Sequence, residues 1–336
     1  MQFERMFTTI DTHTCGDPTR TVTGGIPVIP GTTIAEKMLY LKENHDWIRQ
    51  TLMFEPRGNE VQSGVILTTP CTPGTDIGVV YIEVGGYLTM CGHDTIGVAT
   101  ALIESGMIQP REPVTQISLD TPAGVVEVSV QVENGHAKGV SFVNAPAFLF
   151  KKDISLELPD GRQIMADLSF GGLYYIIVEA EDVGIEPCRD NIKELIKIGT
   201  HIRDQVNAKV GVYHPEMDYI TEATHVLFSA PARHPDGTMS NAVVIPPGSV
   251  SRSPCGTGTC AKLAQLHARG KLGIDKYFGH ESATTGTLFT SRIVEETKVG
   301  NFDAVIADVG GRAHVTGMHT FVIDPEDPLG KGFSFL

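Results

Sequence analysis

The sequence predicts an α/β fold of the α+β kind, with two pseudo-symmetric domains and mostly antiparallel sheets. Three observations carry this. A Cys-Gly helix start occurs twice, at Met90-Cys91-Gly92-His93-Asp94-Thr95 and at Pro254-Cys255-Gly256-Thr257-Gly258-Thr259. Each is preceded, at a similar remove, by a long helix and several strands, and followed by more strands. The total of 336 residues suits two domains of ordinary size.

In order along the chain, residues 6–30 read as a strand and turn, with Gly24, Gly25, Pro27 and Pro30 closing them in a loop. Thr33-Ile34-Ala35-Glu36 has the form of a capping box. From it one helix runs to about Phe54, with Ile34, Met38, Leu41, Trp47, Ile48 and Leu52 largely at helical spacing. Residues 65–67, 77–84 and 87–90 read as strands between Gly and Pro turns, and a helix follows Cys91 to about Glu104. Short β segments are expected at 113–119, 124–132, 138–143 and 167–179. Asp190 opens the second long helix, with Ile192, Leu195, Ile196, Ile202 and Val206 on one face. Strands at 225–228 and 242–245 lead to Cys255 and a fourth helix ending near Arg269. The rest is mostly strand. The domain boundary is expected near residue 124, with residues 1–123 plus about 318–336 in one domain and 124–317 in the other.

The bulk composition narrows the partners. Net charge is −14, with no run of Lys or Arg, which argues against nucleic acid or an anionic membrane surface. No apolar run approaches the roughly 18–20 residues of a membrane span, and the N-terminus lacks a signal-peptide pattern. A cytoplasmic protein is expected. Its six cysteines are scattered without Cys-x-x-Cys, so neither a disulfide framework nor a structural zinc is predicted.

The repeated motif carries the chemistry. A helix N-terminus bears about half a positive charge, which eases ionisation of a thiol placed there. The first-turn N–H groups of Gly92, His93, Gly256 and Thr257 can hold a carboxylate. Two such units facing one bound amino acid would put a sulfur on each face of Cα. One thiolate removes the proton and the opposite thiol supplies another, inverting the centre without a cofactor. A thiol hydrolase has no need of two equivalent Cys-Gly helix starts. No His-x-x-x-His helix and no Walker loop occurs, so neither a metal nor a nucleotide is expected.

With these residues in view, the chain resembles the proline racemase family over nearly its full length. The carrying stretches are Gly85-Gly86-Tyr87-Leu88-Thr89-Met90-Cys91-Gly92-His93 and Arg252-Ser253-Pro254-Cys255-Gly256-Thr257-Gly258-Thr259. Ile10-Asp11-Thr12-His13, Glu55-Pro56-Arg57-Gly58 and Ser169-Phe170-Gly171-Gly172 support them. The resemblance implies a diaminopimelate epimerase-like fold, with sheets each wrapped around a helix, a site in the interdomain cleft, no cofactor and a homodimer. It implies proline or hydroxyproline as the small-molecule substrate. Cys255 stands where related dehydratases carry Thr, which favours inversion over loss of water. Ser63 and His225 match ring-pocket positions and would favour a hydroxylated ring, hence a 4-hydroxyproline 2-epimerase, with a proline racemase, a related dehydratase or an amino-acid-binding homologue with altered amine recognition as the alternatives. Ser251 stands where relatives usually carry an Asp that binds the ring nitrogen. Asp94 is another available carboxylate, though a first-turn acid at a helix start also serves the helix dipole. His93 is expected to hold the carboxylate or orient the neighbouring thiol.

Overall fold

A computed structural model of the chain describes residues 3–335. They form two compact units, one made of residues up to Phe142 and from Gly310 onward, the other of Val143–Val309. The division therefore falls later than residue 124 and returns earlier than residue 318. Strand pairing is the reason. Residues 124–133 form the second arm of a hairpin whose register runs from Thr121↔Gly124 to Val114↔Gln131. At the other end, Ala313–Ile323 pairs with the first strand from Thr14↔Ala313 to Arg5↔Ile323.

In the first unit, β1 (Arg5–Thr14) and β2 (Asp17–Gly24) form a hairpin. The helix expected over 33–54 is two, α1 (Ile34–Asn44) and α2 (Asp46–Met53), because His45 leaves helical geometry at φ −141°. Thr33 caps α1 as its sequence predicts, its hydroxyl accepting from the Glu36 N–H at 3.1 Å. There follow β3 (Ser63–Thr68), β4 (Ile77–Glu83), β5 (Gly86–Leu88), α3 (Gly92–Glu104), β6 (Val114–Thr121), β7 (Gly124–Glu133) and β8 (His136–Val143). α3 is buried at Gly92 and from Asp94 to Ile103, and packs on β1 and β2. Such all-round burial explains why Ile96, Val98, Ala99, Ala101, Leu102 and Ile103 are not confined to one stripe.

The second unit opens with β9 (Ala147–Glu157), a strand that the sequence reading does not assign. The strand expected over 167–179 is two, β10 (Gln163–Phe170) and β11 (Tyr174–Glu179), turning at Gly171-Gly172. Then come α4 (Ala180–Val183), α5 (Ile192–Lys209), β12 (His225–Pro231), β13 (Met239–Ile245), β14 (Ser249–Val250), α6 (Gly256–Ala268), β15 (Phe278–Ser282), β16 (Leu288–Val299) and β17 (Phe302–Gly311). α6 is buried from Gly256 to Gln265 and packs on β9 and β10. The chain ends on β18 (Ala313–Ile323), which belongs to the first unit.

The two units repeat one topology. In the first, β2 pairs parallel with β3 across α1 and α2, and β4 pairs parallel with β6 across β5 and α3. In the second, β11 pairs parallel with β12 across α4 and α5, and β13 pairs parallel with β15 across β14 and α6. Parallel neighbours need such long crossovers, and the remaining pairs described are antiparallel hairpins or returns. In each unit the buried helix is the connection out of the strand pair β4–β5 or β13–β14. Among the described residues, no helix is long and apolar enough to cross a membrane.

Candidate active site

Cys91 and Cys255 occupy equivalent places, as the residues that cap α3 and α6. Neither caps with its side chain. The Thr four residues on does the same thing in both. Thr95 Oγ1 donates to the Cys91 carbonyl at 2.8 Å, and Thr259 Oγ1 to the Cys255 carbonyl at 2.7 Å. Both thiols are buried, and none of the six cysteines, all among the described residues, forms a disulfide.

Around Cys91 the partners are charged. His93 Nδ1 lies 3.3 Å from the sulfur, and His93 Nε2 lies 3.3 Å from Asp94 Oδ1. Asp94 is fully buried and accepts from Thr19 at 2.7 Å and from Ser63. Asp17 on β2 brings a second carboxylate to within 3.9 Å of His93 Nδ1, and Thr14 donates to the His93 carbonyl at 2.9 Å. The β1–β2 hairpin thus holds the first turn of α3 from the side.

Burial pushes the Cys91 thiol up to about 12, and the neighbouring Asp94 carboxylate adds to this against the pull of His93. The lowered thiol pKa expected of a helix start is therefore not found at Cys91. The helix end supplies a fraction of a charge, whereas desolvation penalises the whole thiolate. Burial also disfavours a charged His93, but Cys91 and Asp94 together hold its proton well above the usual imidazole range. Burial would raise Asp94, yet His93, Ser63 and Thr19 hold it below the usual carboxylate range. The Asp94 carboxylate thus favours a proton on His93 beside a neutral thiol, and the Cys91 contribution acts only once the sulfur is ionised.

Glu83, on β4 directly across from Ser63, is a further buried acid. Burial and then Asp94 raise it to about 7.

Beside Cys255 stands a neutral hydroxyl. The Tyr175 hydroxyl lies 3.2 Å from the sulfur and 2.6 Å from Thr257 Oγ1. Its ring lies against that of His225, 5.1 Å between centroids, because β11 and β12 pair Tyr175 with His225. His225 Nδ1 bonds to Thr224 at 2.7 Å, and burial lowers its pKa to about 4, which keeps the ring neutral. Ser251 is buried, and its hydroxyl donates to the Ser253 carbonyl at 3.4 Å. Cys255 itself has φ 63°, a left-handed conformation that a residue with a Cβ seldom adopts.

The sequence-predicted residues thus fall into two groups. Cys91, Gly92, His93 and Ser63 assemble at the start of α3, and Cys255, Gly256, Thr257, His225 and Ser251 at the start of α6. Ser63 differs in use from expectation, since its hydroxyl is engaged by Asp94. Asp94 in turn is no open carboxylate, because Thr19, Ser63 and His93 surround it. Sequence reasoning missed Tyr175 and Asp17. Tyr175 sits in the apolar run from Leu173 to Val178 and reads as core, while only the pairing with His225 reveals its hydroxyl as a thiol partner. Asp17 could have been flagged by its place in the His13–Arg20 turn.

Cys91, His93 and Asp94 also offer a sulfur, a nitrogen and an oxygen within 4.8 Å of one another, a donor set suited to a transition metal. Their existing hydrogen bonds account for the cluster without one. The supporting motifs are structural ties. Arg20 grips Asp11 at 2.8 Å and donates to the carbonyls of Leu52 and Arg57 at 2.6 Å each. Ser169 donates to the Ala261 carbonyl at 2.8 Å. A Cβ on Gly171 would meet the Thr257 carbonyl oxygen at 2.2 Å, so only glycine lets this turn close on α6.

The chain is similar to known proteins over nearly its full length. The family described as proline racemase matches residues 9–334. The chain is 46% identical to a proline racemase of Acetoanaerobium sticklandii over 99% of its own length and 100% of that protein's. It is also 46% identical to a 4-hydroxyproline 2-epimerase of Streptosporangium roseum, over 99% of each. The crystal structure of a hydroxyproline epimerase from Agrobacterium vitis, with bound trans-4-hydroxy-L-proline, superposes with a TM-score of 0.94 at 33% identity, covering 100% of this chain and 96% of that one.

Proposed function

This chain belongs to the proline racemase family and is an isomerase of the racemase and epimerase type, and from that premise we propose how it works. It inverts Cα of a cyclic imino acid with Cys91 and Cys255 as the two proton-transfer groups. For one epimer, the thiolate of one cysteine takes the Cα proton while the thiol of the other delivers a proton to the opposite face. The roles exchange for the other epimer. Electron density left on Cα passes into the carboxylate, which we assign to the first-turn amides of Gly92, His93, Gly256 and Thr257. The observation that carries this is the matched pair of thiols at equivalent helix starts, each with a Thr hydroxyl on its carbonyl.

Burial does not make Cys91 useless as a base. A thiolate with a high pKa is the stronger base once formed, and an ammonium bound beside it lowers the cost of forming it. His93, held by Asp94, sets the position of that sulfur.

The substrate we favour is 4-hydroxyproline, with proline as the alternative, since relatives named for each are equally similar. With Ser63 engaged by Asp94, the ring hydroxyl falls to His225, whose Nδ1 is bound to Thr224 and whose Nε2 is assigned to the substrate. Ser251 takes the ring nitrogen as a neutral acceptor. A homodimer in the cytoplasm completes the reading, and sedimentation at the mass of one chain would remove the dimer from it.

The test is proton NMR in heavy water with both epimers of proline, 3-hydroxyproline and 4-hydroxyproline. Deuterium should enter Cα during inversion of 4-hydroxyproline, and both Cys91→Ser and Cys255→Ser should abolish inversion. Proline inverting as fast as 4-hydroxyproline would remove the role of His225. A pyrroline product from 3-hydroxyproline would mean dehydration, and binding of all six without exchange would mean a binding protein.

A further inference from the structure

Each cysteine carbonyl receives two bonds from one Thr. The Thr95 N–H and hydroxyl reach the Cys91 oxygen at 3.0 and 2.8 Å, and those of Thr259 reach the Cys255 oxygen at 2.8 and 2.7 Å. A threonine hydroxyl has a single proton, which the carbonyl receives in both cases. The Pro254 carbonyl at 3.5 Å and Met90 Sδ at 3.9 Å share that proton only at long range, so a close further partner of either oxygen must donate. In the first unit this partner is the Tyr81 hydroxyl, 2.7 Å from Thr95 Oγ1. In the second it is His280, whose Nδ1 lies 2.8 Å from Thr259 Oγ1. His280 must then carry its proton on Nδ1, which leaves Nε2 as a bare acceptor, and that buried atom has no hydrogen-bond partner among the described residues. Burial and the nearby Lys262 lower the pKa of His280 to about 3, so it stays neutral.

We propose that Tyr81–Thr95 and His280–Thr259 are paired positioning devices, each donor chain holding one cysteine's carbonyl and so aiming that cysteine's sulfur. The carbonyl and the Cβ leave the same Cα, so a carbonyl pinned to the helix limits where the thiol can point. The two cysteines need this to different degrees. Cys91 has φ −140°, extended backbone open to any residue, whereas Cys255 at φ 63° must be held by its surroundings. Further bonds support the second case: Asn241 donates to the Pro254 carbonyl at 2.9 Å, and Ser282 and Thr285 donate to the Arg252 carbonyl at 2.6 and 2.9 Å. No such group touches the reacting atoms. Their effect on rate comes through placement, where an ångström of error can cost about a hundredfold.

The inference rests on the two-thiol reading and can be tested separately from it. Thr259→Val and His280→Leu leave Cys91 aimed and Cys255 loose. The epimer whose proton Cys91 removes should then still exchange Cα hydrogen with heavy water, while inversion falls at least tenfold. The ratio of exchange to inversion should rise for that epimer alone. Thr95→Val and Tyr81→Phe should raise the ratio for the other epimer instead. Thr259→Ser, which keeps the hydroxyl, should restore the wild-type ratio. If Thr259→Val does not fold, Tyr81→Phe and Thr95→Val decide the matter in the first unit. Exchange and inversion falling in parallel, or unchanged in all variants, would overturn the positioning role. Absence of exchange in the wild-type protein with any imino acid would instead overturn the two-thiol reading.

Discussion

The ionisation of Cys91 gives the sharpest test of the physical account. Its pKa is pushed from an ordinary 9.0 to about 12, first by burial and then by Asp94. At neutral pH this leaves about a thousandfold less thiolate than an ordinary cysteine would have. Alkylation by iodoacetamide requires the thiolate, so its rate follows that population. The rate at Cys91 should rise about tenfold per pH unit from pH 7 to 10, about a thousandfold in all, without levelling. An ordinary thiol would gain only about a hundredfold over that range and level near pH 9. The assay is alkylation of the ligand-free protein over this range, with modification at Cys91 followed by peptide mass spectrometry. Limited access slows every point equally and leaves the slope intact. Asp94→Asn removes the second cause, so the curve should move to lower pH. Levelling below pH 9 in the wild-type protein would refute the reasoning and show that the helix end outweighs burial.

Other outcomes follow from single observations. Glu83 is held protonated up to about 7 in the fold but ionises near 4.5 when unfolded, so the unfolded chain gains stability as pH rises between them. Glu83→Gln should therefore stabilise the protein at pH 8 by up to about 3 kcal/mol and leave it unchanged at pH 4. Urea midpoints at the two pH values would show it, and equal effects at both would count against the buried acid. Gly171→Ala places a methyl 2.2 Å from the Thr257 carbonyl and 2.5 Å from the Ala261 nitrogen, both backbone atoms of α6. It should cost at least about 2 kcal/mol in a denaturant titration. A loss below half of that would mean the turn can withdraw. Ser251→Asp should tighten binding of cyclic imino acids measured by calorimetry, because a carboxylate complements the ammonium better than a hydroxyl does. Weaker binding would show that another group already fills that role.

A duplication written in Cys-Gly-x-x-Thr survives into the structure because it is local. A thiol, a glycine and a threonine four residues on dictate a helix start whose cap carbonyl the threonine can reach, whatever surrounds it. The order of helices and strands was legible for the same reason, and Thr33 capped α1 where it should. What failed were boundaries set by non-local partners. His45 splits a helix, Gly171 splits a strand to let α6 pass, and the division between units follows β6–β7 and β1–β18 pairing.

The site divides in the same way. The sequence by itself determined the two thiols, their helix starts, His93 beside one of them, and the family to which such residues belong. Tertiary structure alone decided what those groups are made to do. It spends Ser63 and Asp94 on holding His93, brings Tyr175 to the Cys255 sulfur, sets Tyr81 and His280 behind the two threonines, and buries Cys91 until its thiol resists ionisation. Each of these depends on which strand lies beside which, and on how much water is excluded. Burial and cross-strand neighbours are sums over the whole fold, and no stretch of chain carries them alone.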